Sequence, residues 1–440
     1  MLCSDSQTIA DIIGGSSNAD VKFEGVYTDT RENGKGKLFI ALEGQSFDGH
    51  DFIQHAQDAG VKAVIVHKKV ATNLPTITVG NTEEAYRAIA SWHRKTFSPT
   101  VIAITGSNGK TSTKNMLANI LALDAPTLAT QGNLNNHLGV PKTLLGITQK
   151  HKYCVIEMGA NHSNEISLLC HLAKPELSIV TNANNAHLGE FGSLDNLVQA
   201  KGEIVGALPT TGVAFINANS PHQRTWKKIA GRRHCIMFGE NTATFATNIS
   251  ELNDSLQFNL HSNGSVCEVR LPMIGKHQIE NALAAAACAA KLGIDVDRIK
   301  QGLESTRPEK GRLTLLQYSD FTILDDSYNA NPHSMKAAID TLSTYPGEKI
   351  AVLGSMAELG DESDQLHQEI GDYAKSNPID SIYCIGEDAW HYQGNHFADI
   401  KTLYQYLSAH HQGATILVKG SRMMQLDQLV NLFAKTTNSA

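Results

Sequence analysis

Short apolar runs that alternate with helix-length segments restrict this chain more than any other feature. VKAVIVHK, TVIAIT, YCVIEMG, LSIVTN, GVAFIN, FTILDD, KIAVLG, SIYCIG and ATILVKG are each long enough for one strand. Strands apolar along their whole length are covered on both faces, so the repeated βα units imply a mostly parallel sheet and an α/β fold. A chain of 440 residues is too long for one ordinary domain. Three α/β blocks are expected: a small N-terminal domain over 1–83, a central phosphate-loop domain over 84–312 and a Rossmann-like C-terminal domain over 313–440. The period of the pattern changes in SLQFNLHSNGSVCEVRL, which alternates and predicts a hairpin. KHQIENALAAAACAAKLG after it reads as an alanine-rich helix stopped by Gly293.

With 41% hydrophobic and 18% charged residues, the chain can bury a large core. Its formal net charge is -7 and no Lys/Arg block stands out, which argues against a nucleic-acid binder. The seven cysteines are scattered without a C-x-x-C pair, the usage of a reducing compartment. The first residues, MLCSDSQTIADIIGG, lack the basic and apolar regions of a signal peptide. No run of apolar residues is long enough to span a bilayer. A cytosolic protein without membrane insertion is expected.

The strongest local signal is Gly106-Ser107-Asn108-Gly109-Lys110-Thr111-Ser112, directly after the apolar run TVIAIT. Glycines let backbone N–H groups turn toward a polyphosphate, and a helix N-terminus adds partial positive charge. Lys110 can reach the β- and γ-phosphates while the Thr111 hydroxyl ligates magnesium. The usual Gly five positions before the Gly-Lys pair is Ile104 here, so the loop is a shortened variant.

Three further residues bear on the metal. Glu157 ends the run YCVIE, at the strand edge where open α/β sheets bind ligands, or else is a strand-end acid paired with a base. His187 follows LSIVTN at a corresponding edge, although magnesium prefers oxygen and a lone histidine is more often a satisfied side chain. Lys201 in QAKGEI is a solvated surface charge, an ammonium facing the phosphates, or a carboxylated lysine offering oxygen to a metal.

In order along the chain stand TDTRENGKGKLFIALEGQSFDGHDF, ITGSNGKTSTK, QGNLNNHLGVP, IEMGANHSNEI, TNANNAHLGEFGS, AKGEI, GKHQIENALAA, GRL, DDSYNANP, MAELG and LVKGSR. This set resembles the Mur ligase family. GNLNNHLGVP, EMGANH and DDSYNANP are most similar to its D-alanyl-D-alanine-adding members. The resemblance implies an N-terminal domain holding a UDP-sugar, a central ATPase domain and a closing C-terminal domain. It implies Glu157 and His187 as ligands of two magnesium ions, with Lys201 carboxylated. Asn281, Asp326, Asn329 and Asn331 are implied as nucleotide contacts, and Arg312 as the arginine that meets the phosphates. Thr30, Arg31, Ser46 and His50 are implied near the UDP-sugar, and Asn135 and Asn136 near the growing peptide. Taken alone, Asn281 reads as an exposed first-turn residue, Asp326 and Asn329 as Asx-turn residues, and Arg31 as a surface ion pair.

The implied activity is ATP-dependent joining of D-alanyl-D-alanine to the terminal carboxylate of UDP-N-acetylmuramoyl-tripeptide through an acyl phosphate, by a monomer. Two alternatives stand beside it: a folylpolyglutamate synthase-like ligase, and a nucleotide-dependent switch.

Overall fold

The computed structural model describes residues 2–437 apart from 45, 185–187 and 319. Its centre is a six-stranded sheet, ordered His234–Phe238, Val213–Asn217, Leu177–Val180, Thr100–Thr105, Tyr153–Glu157, Thr127–Ala129. Every pairing in this sheet is parallel. Successive residues of Thr100–Thr105 feed opposite cores, which explains its lack of polar alternation. Ile102 and Ile104 pack with the helices Lys110–Ala122, His277–Lys291 and Val296–Ser305. Val101 and Ala103 pack on the other face with Glu165–Ala173 and Leu194–Gly206. Cutting Ile104 to Ala should destabilise by about 2–5 kcal/mol, the usual cost of a cavity in such a core.

The alanines of His277–Lys291 are nearly all buried, because the helix lies in the core beside Lys110–Ala122 instead of on the surface. Small side chains permit that approach. The predicted hairpin is present as Leu256–Ser262 and Ser265–Leu271, with Thr244–Glu251 completing a three-stranded antiparallel sheet. Asn263 and Gly264 turn it at φ 48° and 85°, the left-handed pair that a two-residue hairpin loop requires. Leu256, Phe258 and Leu260 point inward at period two.

The N-terminal domain carries a five-stranded sheet ordered Ser16–Ser17, Thr76–Thr78, Ala63–Val66, Leu38–Ile40, Val26–Tyr27. The helix Thr82–Lys95 packs Ala85, Tyr86 and Ile89 against it. Asn81 caps this helix by accepting from the N–H groups of Glu83 and Glu84. The C-terminal sheet runs Thr314–Gln317, Thr322–Asp326, Thr415–Lys419, Lys349–Gly354, Ser381–Ile385, Asn395–Phe397. Its first strand is antiparallel to the second, whereas the rest pair in parallel. The connection of residues 318–321 is too short for a crossover, so the edge must be a hairpin.

In the central sheet, Thr100–Thr105 lies between Leu177–Val180 and Tyr153–Glu157, where the strand order reverses direction. Connections leave such a strand and its neighbour on opposite faces, which opens a crevice beyond their carboxyl ends. The described helices include none long and apolar enough to cross a membrane.

Candidate active site

The phosphate loop begins where Thr100–Thr105 ends in that crevice. Gly106 has φ 149°, and a Cβ there would stand 1.9 Å from Thr181 Oγ1. Gly109 has φ 78°, and its Cβ would stand 2.2 Å from Asn281 Oδ1. Both positions therefore exclude side chains by space as well as by backbone conformation. The loop is braced from the neighbouring strand end. Asn108 N–H donates to Asn182 Oδ1 at 2.9 Å, and Thr181 Oγ1 donates to Asn108 O at 2.6 Å. Gly109 has no side chain to cap the helix Lys110–Ala122, so its first N–H groups face the crevice as an anion site.

Lys110 bends back, donating from Nζ to the carbonyls of Gly106 at 2.6 Å and Ser107 at 3.1 Å. Desolvation pushes its pKa down to about 8, against the attraction of Glu157, while Arg312 adds repulsion. That still leaves Lys110 mostly charged at neutral pH, and an anionic phosphate beside it would favour the charged form further. Thr111 and Ser112 are buried in the first helical turn.

Glu157 ends its strand fully buried. Its Oε1 accepts from Asn135 Nδ2 at 2.7 Å, but Oε2 is buried with no hydrogen-bond partner among the described residues. An orphaned carboxylate oxygen costs several kcal/mol in a closed interior and is the chemistry a hard cation takes up (about 2–7 kcal/mol for an unpaired polar group). No group of three His, Cys, Asp or Glu side chains gathers among the described residues to form an all-protein cage. Magnesium fits this donor set, since it uses one or two carboxylates and completes its shell with waters and phosphates. His187 lies outside the described residues.

Lys201 is the opposite of a surface charge. It is buried, donates to Ala160 O at 3.2 Å and lies 5.4 Å from the centroid of Phe191. Desolvation first, and then the nearby Lys110, push its pKa down to about 7.

The C-terminal domain closes one end of the crevice. Arg312 stacks 4.0 Å from the Tyr328 ring, and its buried Nε has no partner among the described residues. Asp326 accepts from Leu313 N–H at 3.0 Å and Lys419 Nζ at 2.6 Å. Lys419 also donates to Asn329 O at 2.9 Å. Asn331 caps the helix Pro332–Ser343 and pairs reciprocally with Asn108, at 2.8 and 3.3 Å. Asn281 is not an exposed first-turn residue. It is buried, accepting from Thr113 Oγ1 at 3.3 Å and holding Gln278 at 2.9 Å.

One cavity of about 680 Å³ gathers Ser107 to Lys110, Ser112, Asn135, Asn136, Glu157, Lys201, Asn281, Arg312, Asp326, Asn329 and Asn331. Thr30, Arg31, Ser46 and His50 do not line it. Arg31 is exposed and ion-paired with Asp29 at 2.6 Å. His50 is buried, with Nδ1 2.6 Å from Asp48 and Nε2 accepting from the His67 N–H at 3.3 Å. That geometry fixes the Nδ1–H tautomer. Thr30 is half-buried and Ser46 exposed.

Several participants escaped the sequence reading. Asn182, Thr181, His277, Tyr328 and Lys419 all line or brace the cavity. Asn182 and Lys419 each end or follow an apolar strand, the one signal that could have marked them. Lys114 gave none. It is wholly buried, donates to Thr130 O at 2.8 Å and lies 3.6 Å from Glu309, the residue that leads into Arg312.

The profiles for the Mur ligase family catalytic domain, middle domain and glutamate ligase domain match residues 22–96, 104–289 and 311–422. The UDP-N-acetylmuramoyl-tripeptide–D-alanyl-D-alanine ligase of Escherichia coli K12 is 41% identical over 96% of both chains. The chain belongs to the Mur ligase family. Among solved members of the family, MurF from Acinetobacter baumannii superposes with a TM-score of 0.93 at 34% identity, covering 99% of both chains. MurF from Thermotoga maritima, in complex with ADP, gives 0.86 at 28% identity over 94% of this chain and 98% of that one. Folylpolyglutamate synthase of Mycobacterium tuberculosis, at 16% identity and TM-score 0.65 over 80% of this chain and 94% of that one, shares the Mur ligase fold alone.

Proposed function

We propose that this chain is an ATP-dependent ligase that joins D-alanyl-D-alanine to the terminal carboxylate of UDP-N-acetylmuramoyl-tripeptide, yielding the pentapeptide, ADP and phosphate. The observation that carries the reading is similarity along the whole chain to an enzyme of that name. The cleft chemistry agrees with it. Mass spectrometry after incubation with ATP, magnesium and both substrates should find the pentapeptide; phosphate release without it would refute the assignment.

A carboxylate is a poor electrophile, so activation must precede amide formation. Its oxygen attacks the γ-phosphorus of ATP, the bond to ADP breaks, and an acyl phosphate results. The dipeptide's amine then attacks the acyl carbon, loses a proton, and phosphate leaves. Two anions meet in the first step, so neutralising charge is the main task of the protein. In this reading Lys110 and the N–H groups after Gly109 hold the transferred phosphoryl group. Arg312 reaches the same cavity from the C-terminal domain with an unsatisfied Nε to offer. Asn281, Asp326, Asn329 and Asn331 line the side where a nucleoside would lie. Thr111, Glu157, His187 and Lys201 would hold two magnesium ions, which would supply further charge neutralisation.

Lys201 supports a modification. An amine with a pKa near 7 is about half unprotonated at neutral pH, and that fraction can add to carbon dioxide. The N–C bond forms, one proton leaves, and a carbamate anion replaces the neutral amine. Density for a bare amine in crystals grown with bicarbonate would reject this. Thr30, Arg31, Ser46 and His50 belong in this reading to the UDP-sugar face, Asn135 and Asn136 to the peptide. The switch alternative needs ATP hydrolysis that is indifferent to the acceptor pair; strict dependence on both substrates excludes it.

A further inference from the structure

The cavity is also lined by charged side chains that the scheme above leaves unused. Glu83 and Arg87, on the helix Thr82–Lys95, line it together with Asn135, Asn136 and His137. Arg87 NH1 lies 2.9 Å from Glu83 Oε1, with its side chain only 22% exposed. His137 Nε2 lies 3.9 Å from the same carboxylate oxygen. Asn135, two residues before His137, bonds Glu157 at 2.7 Å. This set therefore adjoins the acid-activating side of the cleft, whereas Asn281, Asp326 and Asn331 mark the nucleotide side.

An ion pair at i, i+4 on a helix is ordinarily a minor stabilising contact in solvent. Two facts set this one apart: it faces a cavity shared with the phosphate loop, and the other cations that line the cavity make their contacts elsewhere, Lys201 with Ala160 O among them. Lys110 is held on its own loop, Lys419 is paired with Asp326, and Arg312 stacks on Tyr328. Arg87 is the guanidinium left beside the peptide-side asparagines. A guanidinium binds a carboxylate through two parallel N–H donors, more strongly than a single carboxylate contact of the kind Glu83 makes.

We propose that Arg87 is a substrate-binding residue that recognises a non-reacting carboxylate of a peptide substrate, releasing Glu83 as it does so. The inference rests on the ligase reading. Two sources share this chemistry: the C-terminal carboxylate of the incoming dipeptide, and a side-chain carboxylate on the third residue of the muramoyl peptide.

Steady-state kinetics of Arg87→Ala and Arg87→Lys in the full-length enzyme test it. One arm compares D-alanyl-D-alanine with its C-terminal amide; the other compares muramoyl tripeptides ending in diaminopimelate and in lysine. For one pair, Arg87→Ala should raise KM for the carboxylate-bearing member roughly 10- to 100-fold and abolish the preference over its partner. KM for ATP should stay unchanged, and Arg87→Lys should recover part of the loss. The arm that responds names the source. Glu83→Gln should lower the same KM by freeing the guanidinium. If Arg87→Ala keeps every KM within about twofold and all preferences intact, the inference is overturned. Failure of the wild-type enzyme to make pentapeptide would instead strike the ligase reading.

Discussion

The crevice beyond Thr100–Thr105 and the loops of the N-terminal domain hold polar residues in opposite states. In the crevice, Glu157 Oε2 and Arg312 Nε are buried without partners among the described residues, and Lys110 and Lys201 are strongly desolvated. In the N-terminal domain, Arg31 is paired with Asp29, and His50 with Asp48, which Lys68 also holds. Folding alone would not leave good acceptors and donors unmatched, because each such group weakens the native state. The crevice thus stores unmet bonding capacity that a ligand can use. Arg31, His50 and Asp48 are already matched, and a ligand that uses them must compete with existing partners.

That contrast can be broken by experiment. Lys110→Ala should lower kcat on the order of 100- to 1,000-fold, comparable to losing one transition-state donor; turnover near normal in a coupled ADP assay would undo the account of the crevice. Asn135→Ala removes the partner that orients Glu157 and should cost roughly 10- to 100-fold in magnesium affinity or activity, read from the magnesium dependence of rate. His277 sharpens the comparison through pH. Burial, then repulsion from Lys419 and His333, lowers its pKa from 6.5 to about 4. The unfolded chain takes up a proton near 6.5 and the folded chain only near 4. This stabilising contribution is whole above pH 6.5, falls as pH drops, and is gone by about 4. Its size is about 3 kcal/mol, and denaturant melts of His277→Gln should lack that part of the slope. Arg31→Ala should be the mildest change, leaving Tm unmoved within about a degree because an exposed pair contributes little. Any kinetic effect should fall on KM for the muramoyl substrate and not on KM for ATP.

Much of the sheet architecture was legible because parallel strands buried on both faces write themselves as unbroken apolar runs. YCVIE, LSIV and VAFIN became adjacent or near-adjacent strands of one sheet, each wholly buried. The run before the phosphate loop was legible for the same reason. What local pattern does not carry is long-range matching. Asn281 looked like a solvated first-turn residue because nothing near it in sequence reveals that Gly109 packs against its amide. The antiparallel edge Thr314–Gln317 was missed since a strand half-exposed at a sheet margin is short and weakly apolar. HDFIQHAQDAG has the pattern of one helix, yet it opens as a 3-10 turn, Gly49–Phe52, whose Asp48 side chain caps His50. Arg87 was overlooked because its pairing with Glu83 looks the same in sequence on any helix, whether it faces bulk water or a cleft.

The reciprocal amide pair between Asn108 and Asn331 joins the phosphate loop to the C-terminal domain without any ionisable group. Neither added salt nor a change of acidity can loosen such a clasp directly. The clasp itself should therefore respond to what occupies the loop and not to the ionic state of the surrounding medium.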